Sequence, residues 1–221
     1  PAWIAATVTF FTLVATSGFR SAPSVLIIPL QDAFGWHRDQ ISLAIAINVL
    51  LYGLTAPFAA ALMERFTVRK VVMGALTTVS TGAFLTTLIH APWQLIATWG
   101  VIVGIGTGSM ALVFAATVAN RWFVKRRGLV IGGLTAAAAM GQLIFLPGLT
   151  HLSGMYGWKS IGLTIGAAAL LMVPMIFVFL RERPADLGYL PYGAPDDWTP
   201  PPRSEMNAAR LAIVTLKEAS S

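Results

Sequence analysis

Six long apolar blocks divide this chain, and they constrain its fold more than any other feature. The blocks run approximately over residues 3–30, 41–63, 71–89, 93–119, 128–150 and 160–180. A helix that crosses the hydrocarbon core of a bilayer needs about 20 mostly apolar residues. Strands of a transmembrane barrel would instead alternate polar and apolar residues over about ten positions. The sequence therefore predicts an all-α membrane protein, a bundle of six transmembrane helices.

The first block has an alternative interpretation as a cleaved signal peptide. No basic segment precedes it, and the apolar run resumes after Arg20, beyond the point where a cleaved peptide would have ended. We therefore interpret the first block as a membrane span.

Charged residues are scarce, at 11% of the chain, and the mean hydropathy is +0.73. Soluble globular domains carry about 25% charged residues. The net charge of +6 comes from basic residues clustered between the apolar blocks and not along one polar face, so the expected partner is a lipid bilayer and not a nucleic acid.

The basic residues lie in every second loop. They are Arg65, Arg69 and Lys70 after the second block, and Arg121, Lys125, Arg126 and Arg127 after the fourth. The other loops carry few basic residues. Because basic loops remain on the cytoplasmic side, both termini are predicted to be cytoplasmic, in the plasma (inner) membrane of a cell.

The composition changes after the sixth block. We divide the chain into a transmembrane domain, residues 1–181, and a cytosolic linker, residues 182–221. The linker is rich in proline, which fixes φ and opposes helix formation. From Ser204 it regains a helical pattern, too short to span the bilayer, and a short amphipathic helix is predicted there.

Arg20 lies near the middle of the first predicted span. An arginine at the centre of a membrane helix costs about 2.5–3.5 kcal/mol on insertion scales. No Asp or Glu lies inside any of the six blocks, so no internal counter-ion is evident. A guanidinium matches a carboxylate with two parallel hydrogen bonds. Arg20 is therefore the candidate ligand for an anionic substrate. The alternative is that it caps free carbonyls within the bundle or lies nearer the membrane interface.

Asn48 and Gln142 are the other strongly polar residues inside the spans. Either amide could donate to a substrate oxygen, so both are candidate substrate contacts. Side-chain amides also hold membrane helices together, and this alternative is equally open for both.

Small residues repeat every four positions in two spans, and they give each helix one smooth face for close packing. The sets are Gly100, Gly104 and Gly108 in the fourth span, and Gly133, Ala137 and Gly141 in the fifth.

Nothing in the sequence favours an enzyme, a cofactor or a metal site. The stretch GIGTG lacks the spacing of a dinucleotide-binding loop and lies inside an apolar block. His37, His90 and His151 stand singly without ligand spacing, and the chain contains no Cys. No catalytic residue is predicted.

The loop after the second block, AALMERFTVRK, resembles the motif G-x-x-x-D-R-x-G-x-R-R/K of major facilitator superfamily transporters. Glu64, Arg65, Arg69 and Lys70 match the motif in kind, while Ala60 and Thr67 replace its glycines. With six spans followed by a cytosolic linker, the chain resembles the amino-terminal half of such a transporter, whose fold has twelve helices. The resemblance implies that the four charged residues latch the cytoplasmic side.

Three further stretches, PLQDAFGW, NRWFVKRRGLVIGG and RERPADLGYLPYG, resemble the bacterial branch that contains monocarboxylate transporter-like and oxalate/formate antiporter-like proteins. Gly100 stands where drug/proton antiporters of the superfamily carry an arginine, which disfavours drug efflux. The resemblance implies a secondary transporter that moves a small organic anion by alternating access.

Such a transporter needs a second six-helix half, so we expect this chain to be part of a longer protein or to pair with another chain. A membrane sensor or scaffold, and an efflux transporter for a non-anionic compound, are the alternatives.

The predicted topology can be tested with single-cysteine variants, because the chain has no native Cys. A membrane-impermeant maleimide added to whole cells is expected to label His90→Cys and not Lys125→Cys, since the two loops lie on opposite sides. Permeabilised cells provide the control, in which both variants label. Labelling of Lys125→Cys in intact cells would contradict the orientation.

Overall fold

A computed structural model describes residues 2–181, 184 and 188–195, apart from the side chains of residues 111 and 112. The helices are α1 (Ala2–Phe34), α2 (Arg38–Arg65), α3 (Val68–Thr86), α4 (Pro92–Leu95), a π-helix (Ile96–Val103), α5 (Gly104–Gly108), α6 (Ala111–Trp122), α7 (Arg127–Tyr156) and α8 (Lys159–Phe179). The predicted all-α bundle is confirmed. The amphipathic helix predicted from Ser204 lies outside the described residues.

Each predicted span corresponds to one helix or helical run. Within the described part of the chain, five of these are long and apolar enough to cross a membrane: α1, α2, the run Pro92–Trp122, α7 and α8. The remaining predicted span, α3, is not among these five. It has 19 residues, and Thr77, Thr78 and Thr81 lower its hydropathy. The Thr77 and Thr78 hydroxyls donate to the carbonyls one turn earlier, so their polarity is partly satisfied within the helix.

The fourth crossing is not a uniform helix. It starts as α4, widens into the π-helix for eight residues and returns to α-helical geometry in α5. A turn at Ser109 and Met110 then separates α5 from α6. The predicted span therefore exists, but with two irregularities. π-Helical segments are rare and leave backbone carbonyls without their usual partner.

The first glycine face packs against α2, as predicted. A Cβ at Gly100 would lie 3.1 Å from the Ala44 carbonyl oxygen, and one at Gly104 would lie 3.1 Å from the Asn48 Cα. At Gly108 it would lie 2.7 Å from the Tyr52 carbonyl oxygen. Glycines spaced by four thus meet residues of α2 spaced by four, and the two backbones touch without side chains between them.

The second small-residue face is only partly used. A Cβ at Gly141 would collide with the Ser17 side chain on α1, and Ala137 is fully buried, whereas nothing lies within 4 Å of a Cβ at Gly133. The close approach of α1 and α7 is therefore concentrated around Gly141.

The helices differ in how much of their surface the bundle buries. α1 packs mainly on α7 and α8, α3 on α8, and α2 on the π-helix and α5. α2 and α7 expose many large apolar side chains, among them Leu50, Leu54, Leu143 and Ile144. These faces require lipid or another apolar partner, because water would be an unfavourable neighbour.

Residues 188–195 return to the end of the bundle where α6 ends and α7 begins. The backbone N–H groups of Val124 and Lys125 donate to the Tyr192 carbonyl, and Tyr192 donates its own N–H to the Trp122 carbonyl. The rings of Trp3, Phe123 and Tyr192 contact one another, with centroids 5.3–5.9 Å apart. This described part of the predicted linker is therefore held against the helical domain.

Candidate functional site

A cavity of about 320 Å³ lies among α1, α2, the fourth crossing and α7. Its apolar wall is formed by Leu13, Phe19, Met110, Ala115, Leu134, Ala138 and Ala139. Its polar residues are Thr16, Ser17, Arg20, Tyr52, Thr107, Thr135 and Gln142. A cleft that combines an apolar wall with polar groups is the usual form of a small-molecule site.

Arg20 lies on α1 and lines this cavity. The side chain is exposed, and its Cζ lies 5.5 Å from the centroid of the Tyr52 ring. Among the described residues, the guanidinium forms no ion pair and no hydrogen bond. The ion pair found in this part of the chain joins Arg121 to Glu64. All five N–H donors of Arg20 are therefore available in the cavity.

Close packing of α1 on α7 places Gln142 in the same cavity. Gly18 lies against the Phe145 ring, Gly141 lies against Ser17, and the Ser21 hydroxyl donates to the Gln142 backbone carbonyl at 3.3 Å. The Gln142 side chain is half-buried and has no hydrogen-bond partner in the described part of the chain. Arg20 and Gln142 are thus brought together at one cavity.

Asn48 is placed differently. Its Nδ2 donates to the Trp99 carbonyl at 2.7 Å, and Asn48 is not among the residues that line the cavity. Trp99 lies within the π-helix, where the wider turn changes the hydrogen-bonding of the backbone. This contact favours the helix-packing alternative, and a direct substrate contact by Asn48 stays a prediction.

The threonine hydroxyl groups in the cavity are turned toward their own helices. Thr16, Thr107 and Thr135 donate to the carbonyls of Thr12, Val103 and Ile131, at 2.8–2.9 Å. Because their protons are used in this way, these oxygens offer lone pairs to the cavity. The described hydrogen bonds leave Arg20, Gln142 and the Tyr52 hydroxyl as its available side-chain donors.

Tyr52 and the hydroxyl residues were missed by sequence reasoning. Tyr52 follows Asn48 by four residues and therefore shares its helix face, which is the signal that could have identified it. The threonines carried no such signal, because threonine is frequent on packed membrane helices and bonds readily to its own backbone.

Charged residues of the basic loops form a second cluster, away from the cavity, where α2 and α6 end. Glu64 Oε1 accepts from Arg121 Nη2 at 3.4 Å, and the same nitrogen donates to the Met63 carbonyl at 3.1 Å. Arg121 belongs to the other basic loop and was read from the sequence only as a topology signal. Its contact links the ends of α2 and α6.

Arg65, Arg69 and Lys70 do not pair with Glu64. The guanidinium of Arg69 donates to the Phe177 carbonyl at 3.4 Å and lies 5.2 Å from the Phe177 ring centroid. The Lys70 backbone N–H donates to the Thr67 hydroxyl, which caps α3. Thr67, at a position where the motif has glycine, thus serves as an N-cap.

Across the described residues no group of three His, Asp or Glu side chains could hold a metal ion. The arrangement can bind an anion by charge and hydrogen bonds, and it presents no nucleophile paired with a base.

Comparison with known proteins places these features in a family. The family model described as Major Facilitator Superfamily matches residues 8–216. A solved structure, that of the MFS proton:xylose symporter XylE bound to 6-bromo-6-deoxy-D-glucose, has a TM-score of 0.70 at 14% identity. That match covers 83% of this chain and 45% of the other, and it shows the fold.

Curated relatives are found in bacteria and animals. The MFS-type transporter YcxA of Bacillus subtilis (strain 168) is 27% identical over 82% of this chain and 45% of its own length. Human monocarboxylate transporter 7 is 29% identical over 77% of this chain and 32% of its own. Human monocarboxylate transporter 11 is 26% identical over 97% and 43%. The chain therefore spans less than half the length of these relatives.

The two amides of the site should differ in their effect on stability. Asn48→Leu removes the hydrogen bond to Trp99 and leaves that carbonyl without this partner, so the free energy of unfolding should fall by about 0.6–2 kcal/mol. Gln142→Leu is the matched control, because its amide loses no hydrogen bond within the described residues. Thermal unfolding of the purified protein measures both. Equal stability of the two variants would contradict the role of Asn48.

Proposed function

Because the chain belongs to the Major Facilitator Superfamily, a family of transporters and not of enzymes, we propose that it forms half of a secondary active transporter for a small organic anion. The substrate class proposed is a monocarboxylate, and the mechanism is alternating access. The chain is a multi-pass membrane protein, and we place it in the plasma (inner) membrane with both termini in the cytoplasm.

One observation carries this proposal: Arg20 lies in a cavity without an ion-pair partner in the described part of the chain. A permanent cation at membrane depth is costly, and its cost is offset when an anion completes the pair. A carboxylate accepts two hydrogen bonds from a guanidinium in one plane. Two relatives are named monocarboxylate transporters, which supports the same substrate class.

The proposed binding mode follows from the positions of the donors. Arg20 holds the carboxylate, the Gln142 amide donates to a substrate oxygen, and the apolar wall around Phe19 and Leu134 receives the rest of the molecule. Asn48 remains a proposed secondary contact. Its bond to Trp99 also fixes α2, which carries Tyr52.

A second six-helix bundle is part of the proposal. Arg20, Thr135 and Ala139 line the cavity and are also exposed, so these helices leave one side of the cavity open. A site that alternates between the two sides of a membrane must be enclosed by two bundles that rock against each other. We propose that such a bundle, with the length this chain lacks relative to its relatives, covers the open side.

The cytoplasmic cluster is proposed as the latch. Glu64, Arg65, Arg69 and Lys70 are the predicted members, and the contact of Glu64 with Arg121 adds a fifth. An ion pair between helix ends can form in one arrangement of the helices and separate in the other.

Substitution of Arg20 tests the binding mode directly. In the full-length protein, Arg20→Gln should reduce uptake of the transported acid about tenfold to a hundredfold, since hydrogen bonds to a charged group contribute about 1.5–3 kcal/mol. Arg20→Lys retains the charge, loses the paired geometry and should have an intermediate effect. Uptake of radiolabelled lactate, pyruvate, propanoate and benzoate into proteoliposomes provides the measurement.

Three outcomes would contradict this proposal. Unchanged uptake by a folded Arg20→Gln protein would remove Arg20 from the binding site. Failure of the folded wild-type protein to transport any acid would favour a sensor or scaffold, and competition by neutral or cationic compounds alone would favour efflux of such compounds.

The latch is tested by Glu64→Gln. The Glu64 side chain is 42% exposed, so loss of the ion pair should change the free energy of unfolding by about 1 kcal/mol or less, while uptake falls several-fold because one transport state loses a contact. Asp32→Asn, a carboxylate-to-amide change in the last turn of α1, is the control. If both variants transport equally well, Glu64 is not part of a latch.

A further inference from the structure

We propose that Tyr52 is a positioning residue that holds Arg20 in its binding orientation through the face of its ring. This inference rests on the proposed function of Arg20 and adds a residue that neither the sequence motifs nor the comparisons assign. It concerns how the Arg20 side chain is held in place for an anion in a cavity whose described lining residues include no Asp or Glu.

The geometry of the pair supports this role. The Arg20 Cζ lies 5.5 Å from the centroid of the Tyr52 ring, within the distance of about 6 Å at which a cation is attracted by an aromatic face. Both residues line the same cavity, and Tyr52 is half-buried. Among the described residues Arg20 has no hydrogen bond that could fix it instead.

A ring is suited to this task because it uses none of the donors of the guanidinium. The attraction acts on the charge above the ring face, so the five N–H groups remain free for a carboxylate. Arg69 offers a contrast. It also lies near a ring, that of Phe177, but its Nη1 donates to the Phe177 carbonyl, so part of its donor capacity is used within the protein.

Two contacts between α2 and the fourth crossing fix the position of Tyr52. A Cβ at Gly108 would lie 2.7 Å from the Tyr52 carbonyl oxygen and 2.9 Å from its Cα, so the α2 backbone touches α5 at this residue. One turn earlier, Asn48 is bonded to the Trp99 carbonyl. These two contacts set the position of the ring relative to the fourth crossing, and the ring in turn sets the position of Arg20.

The consequence is a lower cost of ordering when substrate binds. A free arginine side chain has several rotatable bonds, and fixing them upon binding costs conformational entropy. If Tyr52 has already reduced this freedom, removal of the ring should weaken substrate binding and leave the later steps of transport unchanged.

The test compares Tyr52→Leu, Tyr52→Phe and Phe58→Leu in the full-length protein, with uptake of lactate, pyruvate, propanoate and benzoate as the readout. Tyr52→Leu should raise KM about threefold to thirtyfold, the range expected for loss of one cation–π contact, with kcat within about twofold of wild type. Tyr52→Phe keeps the ring and should keep the wild-type KM. Phe58 is exposed on the same helix and does not line the cavity, so Phe58→Leu is the matched control.

A double-mutant cycle separates this inference from the proposed function. If Tyr52 acts through Arg20, Tyr52→Leu should add nothing to the effect of Arg20→Gln. A normal KM in Tyr52→Leu, together with a damaged Arg20→Gln, would overturn the positioning role alone. A normal KM in Arg20→Gln would overturn the proposed function itself.

A second series avoids any loss of folding. Replacing Tyr52 by phenylalanine, and then by phenylalanines with one, two and three ring fluorines, withdraws charge from the ring face with little change of shape. The logarithm of KM should rise stepwise with each fluorine, because the attraction depends on the ring quadrupole. A KM that is constant across the series would overturn the proposal, since a purely structural ring would tolerate fluorine.

Discussion

The contact between α2 and the glycine face of the fourth crossing supports the rest of this site. Gly100, Gly104 and Gly108 let the two backbones touch, and no larger residue could occupy these positions without moving a helix. This contact brings the Asn48 amide within 2.7 Å of the Trp99 carbonyl and sets Tyr52 beside the cavity. The position of Arg20 relative to the Tyr52 ring therefore depends on these three glycines.

Lipid imposes the second constraint, because polar groups in a membrane need partners from within the protein. The bundle meets this requirement in most places by short-range bonds, such as those of Thr9 and Thr12 to their own helix. The Asn48 bond meets it across two helices. Arg20, the one charged side chain among the described residues that line the cavity, is the exception, and the proposed carboxylate substrate is the group that would complete its interactions.

Much of this architecture could be predicted from the sequence. The apolar blocks predicted the ends of each membrane helix to within about six residues. The glycine spacing predicted which face of the fourth crossing packs closely. The π-helix could not be predicted, because its residues form a regular apolar pattern and the widened turn depends on neighbouring helices. The partners of Asn48 and Glu64 lie 51 and 57 residues away along the chain, so local patterns contain no information about them. Gly133 shows that a local pattern can also predict too much. It belongs to the same four-residue repeat as Gly141, but a Cβ at Gly133 would have no neighbour within 4 Å.

The central claim is that Arg20 in this cavity binds a negatively charged group of the substrate. The most direct measurement is calorimetric binding of matched pairs, propanoate with propanamide and benzoate with benzamide, to the purified full-length protein. Each pair has nearly the same shape and differs in charge. The account predicts that for at least one pair the carboxylate binds more than about tenfold tighter than the amide, as expected for charge-assisted hydrogen bonds. Equal affinities within every pair that binds, or tighter binding of the amides, would contradict it.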